Sequence, residues 1–175
     1  MNQLFHRSIV AAVLWLVLLC GEIHAQSEAG PLRGPAMGVS MDRFMSGGSA
    51  LVAMSYRYSW LNPGGIGAEL GVSVFPQALP AGALATAPDL GASYNLPVPG
   101  GSLLIKAGGS ALAVLSLHEA RLVPGAHLGG TLLLDTGQRS AVRLDLIHHY
   151  YRVDGGEITP VWSIGLGFAI LSRRR

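Results

Sequence analysis

Trp162-Ser-Ile-Gly-Leu-Gly-Phe-Ala-Ile170 places a large apolar side chain at every second position, with small residues between them. Successive side chains of a β-strand point to opposite faces, so this period of two predicts a strand with one apolar face and one face of small residues. Strands of transmembrane β-barrels have this pattern, because one face meets the bilayer and the other lines the interior. The stretch therefore predicts a membrane-spanning strand.

Further segments of the chain alternate in the same way. In residues 51–60, for example, Met54 and Tyr56 share one face, whereas Ser55 and Arg57 share the other. The eight predicted strands cover residues 36–44, 51–60, 66–75, 89–96, 103–115, 125–134, 141–152 and 162–170. Together they predict an all-β protein, an eight-stranded antiparallel up-and-down transmembrane β-barrel that follows an N-terminal signal peptide.

The lengths of the predicted connections follow the parity of such a barrel. A bacterial barrel with an even number of strands begins and ends in the periplasm, where its turns are short. Connections 62–65, 97–101 and 135–139 are short, whereas 76–88, 116–124 and 153–159 are longer or more irregular. The latter set is therefore predicted to face outward, together with the short connection 45–49.

The first 25 residues have the composition of a cleaved signal peptide. Arg7 precedes an unbroken apolar core from Ile9 to Leu19, and Ala25 lies just before a plausible cleavage point at Gln26. The apolar core is short for a membrane-spanning helix of roughly 20 residues. The sequence predicts a signal peptide over 1–25, export, and one outer-membrane barrel domain over 26–175, with no cysteine left to form disulfides because Cys20 is removed.

Charge adds little to this prediction. Charged residues make up 13% of the chain, the formal net charge is +2, and the mean hydropathy is +0.41. No basic face is interleaved with aromatic residues, so nucleic acid is not a predicted partner.

Four segments read like strands of known barrels. They are Asp89-Leu-Gly-Ala-Ser-Tyr-Asn-Leu96, Gly125-Ala-His-Leu-Gly-Gly130, Ala141-Val-Arg-Leu-Asp-Leu146 and Ser163-Ile-Gly-Leu-Gly-Phe168. With them the chain resembles the small bacterial outer-membrane β-barrel proteins of the OmpA/OmpX type over essentially the whole mature length. The resemblance implies contact with outer-membrane lipid and insertion by the barrel-assembly machinery, which commonly recognises a terminal aromatic residue; here Leu171-Ser-Arg-Arg-Arg175 follows Phe168.

Charged residues recur on the face that the alternation assigns to the interior. Ion pairs and hydrogen bonds across a narrow barrel can satisfy such residues, whereas an Arg or Lys facing lipid at mid-depth costs roughly 2 to 4 kcal/mol. We predict a structural charge network in the lumen rather than an open pore, because an eight-stranded barrel is just wide enough for its side chains. Its members are Asp42, Arg57, Glu69, Asp89, Lys106, Arg143 and Asp145.

Aromatic residues are predicted to form girdles at the two membrane interfaces. The periplasmic girdle contains Tyr58, Trp60, Tyr94 and Phe168, and the outer girdle contains Phe75, Tyr150 and Trp162.

No predicted cofactor, metal site or catalytic residue emerges from the pattern. His148 and His149 are adjacent and so point to opposite faces of a strand, which prevents them from binding one metal ion, and His127 is predicted to face inward. Ser116, His118 and Glu119 lie close together near the predicted outer rim, but a hydrophilic loop is a more economical interpretation than a hydrolase site.

The predicted function is an integral outer-membrane barrel with a structural or surface-interaction role and a narrow polar lumen. Two alternatives remain. A lipid-modifying enzyme similar to a lipid A hydrolase would need a serine, a histidine and an acid on the outer wall. A soluble periplasmic barrel carrying an apolar ligand would reverse the two faces and expose Arg57, Lys106 and Asp145 to solvent.

Overall fold

The computed structural model describes residues 32–136, 139–153 and 156–172. The predicted signal peptide, residues 1–25, lies outside this part of the chain, as does Arg173–Arg175. The described residues contain eight β-strands and one short 3-10 helix, Pro76–Ala81. The strands are β1 (Gly34–Ser46), β2 (Ser49–Leu61), β3 (Ile66–Phe75), β4 (Ala83–Val98), β5 (Gly101–Ser116), β6 (Ala120–Asp135), β7 (Ser140–Arg152) and β8 (Ile158–Leu171).

The strands form a closed antiparallel barrel in sequence order. β1 pairs with β2 on one side and with β8 on the other, for example through Val39 opposite Tyr56 and opposite Phe168. Closure leaves no strand edge unpaired, which a bilayer requires because it offers no water to the backbone. The predicted all-β, eight-stranded up-and-down fold is confirmed.

The barrel has two distinguishable ends. We call the end where β1 begins and β8 finishes the terminal end; it carries connections 62–65, 99–100 and 136–139. The opposite, distal end carries connections 47–48, 76–82, 117–119 and 153–157. In the described part of the chain, no helix has both the length and the apolar character to cross a membrane.

Two of the predicted long connections are mostly strand. β4 begins at Ala83 and β6 at Ala120, so the predicted loops 76–88 and 116–124 are too long. Pro88 made the first of them resemble a loop, yet it lies inside β4. Proline has no N–H to donate, and the register between β4 and β5 correspondingly omits Ala87 with Leu112 and Pro88 with Ala111. The strand continues because its other ladder, with β3, retains Pro88 opposite Val72.

The alternation assigns each strand one inward and one outward face. Met37, Val39 and Met41 are exposed on β1, whereas the alternating residues Gly38, Ser40 and Asp42 are buried. The same alternation recurs in all eight strands and is lost only towards strand ends, as in the distal parts of β5 and β6. Large apolar side chains therefore cover the outside of the barrel, and polar, charged and small residues fill much of its interior.

The interior has apolar layers towards both ends. At the terminal end a cluster that we call the terminal cap comprises Leu32, Ala36, Leu61, Leu104, Leu133, Ala141, Ala169 and Leu171. Towards the distal end a second cluster, the distal cap, comprises Phe44, Ala53, Phe75 and Ala87, with Ala85, Leu112 and Val161 packed against it. The charged interior residues lie between these two caps.

Phe75 corrects the predicted outer girdle. Its side chain is buried inside the barrel, where it packs edge-on against Phe44 with ring centroids 4.9 Å apart. Phe75 shares the inward parity of Glu69 and Ser73 on β3. Aromatic residues prefer membrane interfaces, but in a strand the parity of a residue decides the direction of its side chain.

Candidate functional site: a buried ion network inside an apolar wall

Seven charged residues from six strands meet between the two caps, in what we call the ionic layer. All seven are at most 6% exposed, and all occupy inward positions. The members are Asp42 on β1, Arg57 on β2, Glu69 on β3, Asp89 on β4, Lys106 on β5, and Arg143 with Asp145 on β7. The alternation of the sequence places them inside, and the closed barrel brings them within reach of one another.

Glu69 connects three strands on one side of the layer. Its Oε1 lies 2.5 Å from Lys106 Nζ, and its Oε2 lies 3.0 Å from Arg143 Nη2. Asp145 contacts the same two cations, at 3.2 Å from Lys106 Nζ and 2.7 Å from Arg143 Nε. Two acids therefore share two bases, and each charge is compensated from two directions.

Arg57 connects the remaining acids on the other side. Its Nη1 donates to Asp89 Oδ2 at 2.8 Å, and its Nη2 donates to Asp42 Oδ2 at 3.2 Å. Arg57 Nη1 also lies 3.8 Å from Glu69 Oε1, which joins the two halves into one network. A guanidinium has several donors in one plane, so Arg57 can bridge carboxylates from different strands.

Hydroxyl groups complete the coordination of the carboxylates. Ser40 and Ser55 donate to Asp42 at 2.6 and 2.7 Å, Ser59 donates to Glu69 at 2.6 Å, and Thr131 donates to Asp145 at 2.5 Å. The prediction from sequence missed these hydroxyl donors. Their inward parity was visible, and short hydroxyl side chains beside buried carboxylates are the signal that identifies them.

Two histidines lie on the distal side of the ionic layer. His127 and His149 face inward from directly paired positions of β6 and β7, and their ring centroids are 6.0 Å apart. His149 also stacks on Tyr151 and contacts Ser163 Oγ through Nε2 at 3.2 Å. Among residues 32–136, 139–153 and 156–172, no group of three or more His, Cys, Asp or Glu side chains is arranged to hold a metal ion.

Six of the seven predicted interface aromatics lie on the outer wall. Tyr58, Trp60, Tyr94 and Phe168 are exposed on the half of the barrel nearer the terminal end, and Tyr150 and Trp162 are exposed nearer the distal end. Between them the wall carries exposed Leu, Ile, Val and Met side chains such as Leu90, Leu128 and Leu166. The arrangement is an apolar band with aromatic residues towards both ends.

The hydrolase candidate at Ser116 is part of a turn. Ser116 Oγ accepts hydrogen bonds from the backbone N–H groups of Glu119 at 3.0 Å and His118 at 3.4 Å, and it donates to the Glu119 carbonyl at 3.1 Å. The hydroxyl is thus used to close connection 117–119. This geometry supports the loop interpretation of Ser116, His118 and Glu119.

This architecture defines a class: a small eight-stranded barrel with an apolar exterior and a filled polar interior, the fold of small outer-membrane β-barrels. The chain matches no protein-family model and no curated protein sequence.

Solved structures share the fold. Neisserial surface protein A is 10% identical and aligns over 79% of this chain and 96% of its own, with a TM-score of 0.53. OprG of Pseudomonas aeruginosa is 11% identical over 83% of this chain and 99% of its own, with a TM-score of 0.52. A de novo designed transmembrane β-barrel is 11% identical over 83% of this chain and 100% of its own, also with a TM-score of 0.52.

Proposed function

We propose that this chain is an integral outer-membrane protein with a structural role in the cell envelope, and that its barrel is closed by its own side chains. The observation that carries the proposal is the combination of an apolar, aromatic-flanked exterior with a layer of ion pairs inside. Lipid suits the exterior because the wall exposes residues such as Leu128 and Phe168, at 54% and 69%. A soluble carrier of an apolar ligand would need the reverse arrangement of faces.

Localisation and folding can be tested together. The full-length chain, expressed in a Gram-negative host with its own leader, is expected in the outer-membrane fraction, with a gel mobility that changes when the sample is heated. Folded barrels resist detergent, so an unheated sample migrates differently from an unfolded one. Recovery of the protein in the soluble periplasmic fraction would overturn the proposal and favour the soluble carrier.

A matched pair of leucine variants tests whether the wall contacts lipid. Leu128 lies near the middle of β6. The substitution Leu128→Arg is expected to destabilise the folded barrel in phospholipid vesicles by about 2 to 4 kcal/mol, because the guanidinium must then face hydrocarbon at mid-depth. Leu117→Arg lies in connection 117–119, where the side chain is 91% exposed, and is expected to leave stability unchanged. Urea unfolding followed by tryptophan fluorescence gives both values. Equal stability of the two variants would contradict a lipid-facing wall.

The filled interior predicts a barrel that does not conduct ions. The terminal cap contains Leu104 and Leu133, both 0% exposed, and the ionic layer lies directly behind it. Purified protein reconstituted in planar bilayers is therefore expected to give no stepwise conductance at neutral pH. Reproducible single-channel steps from the folded protein, absent when unfolded protein is added instead, would contradict the closed interior and favour a pore.

A further inference from the structure

Charged side chains are almost absent from the outer wall. In the described part of the eight strands, the outward positions carry two charged residues, Arg43 on β1 and Arg152 on β7. Both are exposed arginines near the distal end, and their strands are the two neighbours of β8. The wall therefore has a positive sector at one end and no outward acid in the described strands to balance it.

Arg43 projects from an apolar environment. Its register partners on the two adjacent strands are Val52 on β2 and Ile164 on β8. Its outward neighbours along β1 are Met41 and Met45. In the described part of the molecule, Arg43 makes no hydrogen bond or ion pair. A guanidinium carries five N–H donors and no acceptor, so its partner must come from outside the barrel.

Aromatic rings lie beside Arg43 at the same end of the barrel. His148 stacks on Trp162 with ring centroids 4.0 Å apart and an interplanar angle of 6°, and His148 contacts Tyr150 at 4.3 Å. Trp162 is paired with Met45, two residues along β1 from Arg43. Tryptophan and tyrosine favour the headgroup region of a bilayer. Arg43 lies two residues from this level towards the middle of the barrel, and a long arginine side chain can extend along the apolar wall to bring its guanidinium to the lipid phosphates.

We propose that Arg43 binds the phosphate group of a membrane lipid at the distal end of the barrel, with Trp162 and Tyr150 positioning the lipid beside it. The inference rests on the proposed membrane location and adds a ligand class to it. Arginine suits this role because its planar fork can donate two parallel hydrogen bonds to one phosphate. The lipid chains would lie along the apolar wall formed by residues such as Ile164 and Leu166.

The test measures retention of a phosphorylated lipid by the folded barrel. Full-length protein purified in detergent is incubated with lipid A, with dephosphorylated lipid A or with inorganic phosphate, and bound ligand is counted by native mass spectrometry. We expect wild-type protein to bind lipid A about tenfold more strongly than the dephosphorylated form, as loss of a charge-assisted hydrogen-bonded pair implies. Arg43→Gln is expected to remove this preference, and Arg43→Lys to retain part of it.

Arg139→Gln is the matched control, because Arg139 is exposed next to the terminal end of β7 rather than on the outward wall. It should keep the wild-type preference for lipid A. Equal binding of the two lipids by wild-type protein, or an unchanged preference in Arg43→Gln, would overturn the proposal. Binding of inorganic phosphate that depends on Arg43 and matches that of lipid A would overturn the assignment to a lipid.

Failure of the lipid site and failure of the membrane location give different results. Every variant is first checked for the heat-dependent change in gel mobility, which reports the folded barrel and does not depend on a bound phosphate. If the wild-type protein folds in the outer membrane but binds lipid A and dephosphorylated lipid A equally, the result contradicts the lipid site alone. A wild-type protein recovered as a soluble periplasmic protein contradicts the proposed function and with it the site.

Discussion

Arg143→Met is expected to lower the free energy of unfolding in phospholipid vesicles by about 3 to 5 kcal/mol, the usual effect of removing one partner from a buried ion pair. Arg143 contacts Asp145 through Nε at 2.7 Å and Glu69 through Nη2 at 3.0 Å. Methionine fills a similar volume, so the loss would come from charge rather than from a cavity. The ionic layer would then contain four acids and two bases, Arg57 and Lys106.

Two further variants test this explanation. Arg139→Met removes an exposed arginine next to the same strand, and it is expected to change stability by less than about 0.5 kcal/mol, as surface substitutions usually do. Arg143→Met combined with Asp145→Asn removes one acid as well, and the double variant should be more stable than the sum of the two single effects predicts. Urea denaturation curves provide all of these values. Additive effects would show that Arg143 and Asp145 do not act as a pair.

Gly71→Ala is the second substitution with a large expected effect. A Cβ at Gly71 would lie 2.7 Å from both carboxylate oxygens of Asp89 and 2.8 Å from Arg57 Nη1. These atoms are held by their own ion pair, so they cannot move aside without weakening it. Overpacking of this kind costs typically 1 to 3 kcal/mol.

Gly109→Ala is the matched control for this substitution. Gly109 lies on the outward face of β5, and a Cβ there meets nothing within 4 Å. Alanine is expected to be neutral or to stabilise the strand by up to about 1 kcal/mol, because glycine loses more conformational freedom on folding. The midpoint of urea unfolding should therefore fall for Gly71→Ala and not for Gly109→Ala. Equal midpoints would show that the interior around Asp89 is not tightly packed.

Much of the fold follows from the alternation of the sequence. In a strand, parity alone sets the direction of a side chain, so the inward positions of Arg57, Glu69 and Asp145 could be predicted without knowing any contact. Phe75 obeys the same rule: its residue type suggested a membrane interface, but its inward parity matches its buried position. The first residues of β4 and β6 are harder to predict, because Pro88 and Pro124 resemble strand breaks although both lie within strands.

The pairing inside the ionic layer could not be predicted from sequence. Which acid meets which base depends on the register of all eight strands and on their tilt around the barrel. Glu69 meets Lys106 and Arg143 across the lumen, at sequence separations of 37 and 74 residues. Arg43 also required the structure, because its lack of a partner becomes visible only when the residues around it are known.

The short connections at the distal end limit what can recognise this protein from outside the cell. With that end outward, as the sequence predicts, the polypeptide beyond the rim consists of 47–48, 76–82, 117–119 and 153–157. Antibodies, bacteriophages and proteases act on protein that projects from a membrane, and here they meet few residues. Selection for antigenic variation, which diversifies long surface loops, has correspondingly little sequence on which to act.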